Sequence, residues 1–166
     1  SGGQFIILTE GEMLLITTQI AVIATGLLAG VFLTFSDFIM RSLTSARPEA
    51  GAEAMQEINR KVYRSVFLAL FFAMAGSSVL LIGGAFSTPA PASPWLIAGG
   101  GLYLIGVFGI TVFGNVPMNN RLDVLPVGEA ASYWRTFAPR WTQLNHIRTV
   151  SSTLATIAFL IATQHL

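Results

Sequence analysis

The chain has 166 residues, of which 53% are hydrophobic and only 10% are charged, with a net charge of +1. A soluble domain has about 25% charged residues, so water is not the main solvent of this chain, and the small net charge gives no reason to expect a nucleic-acid partner. The absence of Cys excludes disulfides, thiolate metal sites, iron–sulfur clusters and cysteine nucleophiles.

The first 12 residues differ from the rest of the chain. They begin with Ser-Gly-Gly and include Glu10 and Glu12, and we interpret them as an N-terminal extension or a remnant of cloning. The apolar stretch that follows is too long for a cleavable signal peptide, and acidic residues stand where a signal peptide has positive ones. We therefore predict a single integral membrane four-helix domain over residues 13–166.

Four stretches without a charged residue predict four transmembrane helices. They cover residues 13–36, 65–86, 95–114 and 149–166. A helix needs about 20 mostly apolar residues to cross about 30 Å of hydrocarbon. The predicted fold is all-α: a four-transmembrane-helix bundle with a cytoplasmic surface helix between helices 1 and 2 and an ordered Asn/Trp-rich loop between helices 3 and 4.

The basic residues predict the orientation. All nine Lys and Arg residues lie between the first and second stretches or between the third and fourth, and loop 87–94 contains none. Because basic loops stay on the cytoplasmic side, both termini should lie outside. We expect a protein of the bacterial inner (cytoplasmic) membrane, with the lipid bilayer as its surroundings.

The first basic segment contains a helical pattern over residues 49–64. Pro48 precedes its start, and Glu53, Glu57 and Lys61 recur at spacings of four. We expect this helix to lie on the membrane surface and to lead into the second span.

Gly26 and Gly30 form a GxxxG pattern within the first span. Such a pattern favours close helix packing. It indicates tight packing within one bundle or, alternatively, a homo-oligomer.

Asp37 follows the first uncharged stretch by one residue. A carboxylate at that depth is costly unless it is paired or hydrated, and Arg148 or Arg121 could reach it. The pair would fix the bundle, or Asp37 would take part in binding or proton transfer.

Asn115 and Asn119 are four residues apart and would share a helix face, although Pro117 could turn the chain and reposition Asn120 and Arg121. Buried amides need hydrogen-bond partners. The segment either carries a polar site or simply ends a helix.

Trp134, Trp141, Asn145 and Arg148 would form one stripe if this region is helical. Tryptophans at a bilayer boundary often serve only as interfacial anchors. The stripe is of interest because it also contains an amide and a guanidinium.

His146 is the only His near these polar residues, because His165 lies at the other end of the last stretch. One His cannot make the usual multi-His site for zinc, copper or iron, so we predict no bound metal. A single His could hold a haem, but nothing else in the sequence indicates one, and we predict no cofactor. His146 would act as a general base or as a hydrogen-bonded structural residue.

Four segments together resemble the anthrone oxygenase family of membrane proteins, also called DUF1772. They are FSDF at 35–38, AMQEINR at 54–60, NVPMNNRL at 115–122 and WTQLNHIRT at 141–149. The resemblance extends over nearly the whole chain from Met13. It implies a four-helix membrane protein and, for the fungal members, oxidation of an anthrone to an anthraquinone by molecular oxygen with no evident cofactor.

The resemblance and the patterns above give the expected site. The expected catalytic residues are His146, Arg148, Asn145, Asn115, Asn119 and Trp141. The expected substrate-binding residues are Arg121, Asn120, Trp134 and Asp37. In this hypothesis His146 removes a proton, Arg148 or Arg121 stabilises the oxyanion, the asparagines orient it, and Trp141 stacks on the rings.

Two functions remain open. The first is cofactor-independent oxidation of a hydrophobic aromatic or quinol-type substrate at the cytoplasmic membrane boundary. The alternative is a non-catalytic accessory subunit that packs against a larger membrane protein complex or binds a lipid or quinone. An enzyme should have a cavity of several hundred Å³ lined by the expected catalytic residues; an accessory subunit should not need one.

Overall fold

The computed structural model describes residues 9–88 and 91–166, which form helices almost throughout and contain no β-strand. The five continuous helices are α1 (Glu10–Ser45), α2 (Pro48–Val62), α3 (Val66–Ala85), α4 (Ala92–Val124) and α5 (Val127–Thr163). Helices α1, α3 and α4 are long and apolar enough to cross a bilayer, as in an integral membrane protein. The predicted all-α class is confirmed.

Helices α1 and α5 pack side by side in opposite directions. The Thr156 hydroxyl donates to the Thr25 hydroxyl at 2.9 Å, and the Ser36 and Thr149 hydroxyls are 3.0 Å apart. Early residues of α1 therefore meet late residues of α5. This pairing brings the second half of α1 to the middle of α5, where the polar stripe lies.

The other long helices also alternate in direction. Tyr103 of α4 donates its hydroxyl to the Phe71 carbonyl of α3 at 2.8 Å, and Phe32 of α1 packs edge-on against Phe67 of α3. Buried side chains from all four long helices, including Phe159 of α5, share one apolar core. The segments that follow α1 and α4 consequently lie at the same end of the bundle.

Glycines of α4 allow the closest helix contacts. A Cβ on Gly99 would lie 2.7 Å from the Phe159 ring, and one on Gly106 would lie 2.5 Å from Ser151 Cβ. A Cβ on Gly26 would lie 3.9 Å from its nearest neighbour, and one on Gly30 would meet nothing within 4 Å. The prediction of tight packing within the bundle at the GxxxG pattern is therefore wrong for Gly30, because the close approach is made by α4.

Three π-helical segments interrupt α1 and α4. They are Phe35–Ile39, Leu102–Gly109 and Thr111–Asn115. A π-helical turn holds an extra residue and often marks a functional site. The first and third segments lie beside the polar residues described below.

The start of α1 differs from the sequence prediction. Helix α1 begins at Glu10 with Thr9 as its cap, so the last residues of the predicted extension 1–12 belong to the helix. Residues 1–8 of that extension lie outside the described residues, as do residues 89–90 of the predicted loop 87–94. Helix α2 forms close to its predicted bounds of 49–64.

The predicted Asn/Trp-rich loop is helical instead. Helix α4 continues to Val124, α5 begins at Val127, and Pro139 lies inside α5 without ending it. At about 1.5 Å per residue, the 37 residues of α5 extend about 55 Å, well beyond the hydrocarbon thickness of a bilayer. The first half of α5 is stabilised by a second apolar cluster that includes Trp134, Phe137 and residues of α2.

Candidate functional site

A cavity of about 500 Å³ lies where α2 meets the long helices. Its aromatic lining consists of Phe32, Phe35, Tyr63, Phe67, Phe71 and Trp141. Its uncharged polar lining includes Asn59, Thr111, Asn119, Asn120 and Asn145. The charged side chains in the lining are Arg148, Glu57, Lys61 and Asp123. The cavity thus combines aromatic walls with hydrogen-bonding groups.

Arg148 is the main electrostatic feature of this cavity. Its residue surface is only 5% exposed, and no carboxylate of the described residues lies within ion-pair distance of it. One terminal nitrogen donates to Asn145 Oδ1 at 2.7 Å and the other to Thr111 Oγ1 at 3.4 Å, whereas Nε has no partner. A buried cation without a counter-ion is costly, and an anionic group placed beside it would offset that cost.

Two aromatic rings lie against the guanidinium group of Arg148. Arg148 Cζ lies 4.7 Å from the centre of the Phe32 ring and 5.0 Å from that of the Trp141 ring. These distances are within the range of cation–π attraction. The rings stabilise the positive charge of the buried guanidinium.

Asn145 holds the Arg148 guanidinium in place by a hydrogen bond. It is fully buried, and its Nδ2 donates to the Phe32 carbonyl and to Ser36 Oγ, each at 2.7 Å. Its Oδ1 is thereby directed to Arg148. Ser36 belongs to the π-helical segment of α1, so that irregular turn helps to position the guanidinium.

Trp141 is held by Asn115 and Asn119 of α4 and by Phe35 of α1. Its Nε1 donates to Asn119 Oδ1 at 2.9 Å, and the Phe35 ring lies 5.5 Å away at an angle of 52°. Asn115 donates weakly to the Trp141 carbonyl at 3.4 Å. Asn115 is buried but does not line the cavity, so its contact with the site is through Trp141.

The structure brings together part of the expected catalytic set. Arg148, Asn145, Asn119 and Trp141 line the cavity, whereas His146 is exposed and does not. Consecutive residues of a helix point about 100° apart, so Asn145 and His146 cannot face the same cavity wall. The geometry therefore gives no support to His146 as the base.

The expected substrate-binding residues are separated more widely. Asn120 lines the cavity, but Arg121 is exposed and stacks over Tyr133, with Cζ 4.4 Å from the ring centre. Trp134 is buried against Phe137 in the second apolar cluster. Neither Arg121 nor Trp134 lines the cavity.

Asp37 has a different partner from the one expected. Its carboxylate pairs with Arg41 at 3.2 Å, and both side chains are largely exposed. The prediction of a pair with Arg148 or Arg121 is therefore wrong. One residue after Ser36 in the π-helical segment, Asp37 points away from the cavity and leaves Arg148 unpaired.

The charged residues of α2 and α4 form a small network at one part of the cavity wall. Arg60 donates to Asp123 at 2.7 Å and to Glu57 at 2.9 Å. These hydrogen bonds, from Glu57 first and Asp123 second, raise the pKa of Arg60 above its ordinary value. The network joins α2 to the end of α4 and places two carboxylates in the cavity lining.

Sequence reasoning missed several contributors to the site, among them Phe32, Ser36, Thr111 and Asn59. The first three lie inside uncharged stretches, where a hydroxyl or a Phe gives no signal of its own. Asn59 lies in the AMQEINR segment, and its position in an otherwise surface-like helix could have indicated a buried amide.

Within residues 9–88 and 91–166 there is no group of three or more His, Cys, Asp or Glu side chains that could hold an ion. What the arrangement can do is bind a flat aromatic molecule between aromatic walls and stabilise a negative oxygen on it with Arg148.

Comparison with known proteins gives one match. The family described as Anthrone oxygenase matches residues 60–158, which include α3, α4 and most of α5. Searches of curated proteins and of solved structures found no match. The matched region contains Arg148, Asn145, Trp141 and Asn119. Because the match covers more than half of the chain, this protein belongs to the anthrone oxygenase family.

Proposed function

We propose that the protein catalyses cofactor-independent oxidation of a hydrophobic aromatic ketone of the anthrone type, or of a related quinol, at the cytoplasmic boundary of the membrane. The observation that carries the proposal is the buried guanidinium of Arg148, which has no carboxylate partner among the described residues and lies in an aromatic-walled cavity. The cavity volume of about 500 Å³ lies within the range of about 300–1,000 Å³ that is usual for small-molecule sites.

The oxidation of an anthrone is balanced with molecular oxygen as the only oxidant, whereas a quinol and one O₂ would give a quinone and one H₂O₂. Loss of a proton from the methylene carbon opposite the ketone gives an enolate, which is electron-rich at that carbon. The carbon forms a bond to O₂ and gives a hydroperoxide after protonation. Loss of the remaining C–H proton and cleavage of the O–O bond release water and form the second carbonyl. One anthrone and one O₂ thus give one anthraquinone and one H₂O.

Arg148 stabilises the enolate oxygen in this scheme. A preorganised donor in a dry site favours the charged form of a substrate strongly, because it does not have to reorganise during the reaction. Trp141 and Phe32 stack on the rings, and Asn145 holds the guanidinium in place. The proton passes to one of the carboxylates in the cavity lining, Glu57 or Asp123.

The second half of α5 forms a fourth membrane crossing in this proposal. Ala155, Phe159 and Ala162 are buried in the same core as α1, α3 and α4, and residues 149–163 contain no charge. The basic residues that follow α1 and α4 gather at one end of the bundle. This end faces the cytoplasm of a bacterial cell and both termini lie outside, in keeping with the positive-inside rule.

Purified protein in mild detergent tests the activity. We expect it to accelerate oxygen uptake with 1,8-dihydroxyanthrone and the appearance of the quinone absorption band, relative to heat-treated protein. An inactive protein with no bound aromatic molecule that co-purifies with a fixed set of membrane proteins would contradict the proposal. That outcome would favour the accessory-subunit alternative.

The His146→Gln variant tests whether His146, which lies outside the cavity, takes part in the reaction. We expect its turnover of the same anthrone to stay within about twofold of the parent protein, since His146 is exposed and does not line the cavity. The initial rate of quinone formation at several substrate concentrations is the measurement. A loss of turnover by a factor of 100 at unchanged melting temperature would restore His146 as the base.

A further inference from the structure

We infer that a surface groove between α4 and α5 binds an anionic phospholipid, with an acyl chain in the groove and the headgroup at Arg140. The groove has a volume of about 700 Å³ and shares no lining residue with the cavity described above. Apart from Arg140, its lining consists of apolar residues of α4 between Leu104 and Met118 together with Leu144 of α5. The inference is therefore independent of the proposed function.

Glycines of α4 leave room for this groove. Gly109 and Gly114 both line it, and neither has a side chain that would fill it. A Cβ on Gly114 would lie 2.9 Å from Leu144 Cδ1, so α4 and α5 are close together at this point. Ile105 and Phe113 also line the groove and are largely exposed. The groove is thus an apolar depression that opens away from the core of the bundle.

The groove extends along α4 from the middle of the membrane to its boundary. Residues 95–114 carry no charge and are long enough to cross about 30 Å of hydrocarbon, which places Leu104 near the middle. Met118 lies four residues beyond the end of this stretch. From Leu104 to Met118 the groove follows α4 for at most about 20 Å, whereas one leaflet contributes about 15 Å of hydrocarbon. This length suits the acyl chain of a lipid in a single leaflet.

Arg140 supplies a positive charge at the boundary end of the groove. It lies one turn before Leu144 on α5, which runs opposite to α4, and it lines the groove together with Pro117 and Met118. Arg140 is exposed and forms no ion pair with a carboxylate of the described residues. Basic side chains at a membrane surface attract anionic headgroups. An amphiphile with an anionic head at Arg140 and an apolar tail toward Leu104 therefore fits both ends of the groove.

A second guanidinium lies further along the same side of α5. Tyr133 is seven residues before Arg140, so the two residues share a helix face and lie about 10 Å apart along the axis. Arg121 stacks over the Tyr133 ring, with Cζ 4.4 Å from the ring centre. Residues 130–166 contain no Asp or Glu. The surroundings of Arg140 on α5 are thus basic, which favours an anionic lipid over a zwitterionic one.

Native mass spectrometry of the full chain in mild detergent tests the inference. The probes are dioleoylphosphatidylglycerol and dioleoylphosphatidylcholine, which have the same acyl chains and differ in headgroup charge. We expect the anionic lipid to bind the parent protein about fivefold more tightly, in keeping with the attraction of one basic residue for an anionic headgroup. Arg140→Gln should reduce this preference to less than about twofold, whereas Arg140→Lys should retain most of it.

Arg135→Gln is the matched control for the charge. Arg135 is exposed on the same helix and does not line the groove, so this variant should keep the full preference. A preference that persists in Arg140→Gln, or that is lost equally in Arg135→Gln, would overturn the inference. A second copy or another protein that stays bound when the anionic lipid is added would also overturn it, because a protein would then occupy the groove.

Gly109→Leu tests whether the acyl chain lies in the groove. The added side chain should fill the groove and weaken binding of both lipids by about threefold or more, because the chain loses its contacts there. Gly101→Leu is the matched control, since a Cβ on Gly101 would meet nothing within 4 Å and Gly101 does not line the groove. Unchanged lipid affinity in a folded Gly109→Leu protein would overturn the inference and leave the proposed function standing.

Discussion

Arg148→Met should reduce turnover of a phenolic anthrone by about 100-fold or more, since removal of a preorganised oxyanion donor typically has an effect of this size. Met has a similar length and no charge, so it fills the space between the Phe32 and Trp141 rings without offering a hydrogen bond. The loss should appear mainly in kcat, because the negative charge on the substrate develops during the reaction. Initial rates of quinone formation over a range of substrate concentrations are the measurement.

The melting temperature of Arg148→Met shows whether a loss of turnover comes from the missing guanidinium or from unfolding. Arg148 has no counter-ion among the described residues, so its replacement removes a buried charge that has a high desolvation cost. We expect the melting temperature in detergent to stay the same or to rise. Arg135→Met is the matched control, because Arg135 is exposed on the same helix. Equal losses of turnover in both variants, or unfolding of Arg148→Met, would contradict the assignment.

Gly106→Ala should destabilise the bundle by about 2 kcal/mol or more. The added Cβ would lie 2.5 Å from Ser151 Cβ and closer still to its Oγ, so α4 and α5 would have to move apart. Ser151 stands one turn after Arg148 on α5, and the movement would also disturb the cavity. The midpoint of thermal unfolding in detergent and the turnover rate are both expected to fall.

Gly30→Ala is the control for this substitution. A Cβ at Gly30 meets nothing within 4 Å, and Ala favours a helix over Gly by up to about 1 kcal/mol. The control should therefore be as stable as the parent protein or slightly more stable. Destabilisation of Gly30→Ala to the same extent as Gly106→Ala would show that Gly30 lies in a contact, such as a homo-oligomer interface.

The uncharged stretches predicted the long helices because a span needs only length and apolar character. They did not predict where those helices end. Helix α5 begins at Val127, well before the uncharged stretch at 149, because Trp134 and Phe137 bury themselves against α2 and stabilise the polar half of the helix. Tertiary packing of this kind depends on partners that are distant in the sequence.

The helical stripe predicted the centre of the site. Trp141, Asn145 and Arg148 lie on one face of α5 and meet at the cavity, as their spacing indicated. Trp134 belongs to the same stripe but lies two turns before Trp141, about 10 Å along the helix axis and further from Arg148. It packs in the second apolar cluster. The spacing of such residues determines which face of a helix they share. It does not determine which part of the helix lies beside a cavity.

The partners of the stripe could not be predicted from the sequence. Ser36 reaches Asn145 and Thr111 reaches Arg148 from π-helical segments, and no simple pattern of residues indicates where a helix takes such a turn. The same difficulty affects Asp37, which was expected near Arg148 and pairs with Arg41 instead. In both places the direction of a side chain depends on a local change of helix type.

The π-helical turn of α1 also bears on how such a site could arise in evolution. Phe32 and Met40 are both buried, one against Arg148 and the other in the second cluster, yet they are eight positions apart, one more than two α-helical turns. The wide turn accommodates the additional residue, so both flanks keep their inward faces. An insertion or deletion of one residue within this turn would therefore change which side chain meets Asn145 more than it would move Phe32, which precedes the turn.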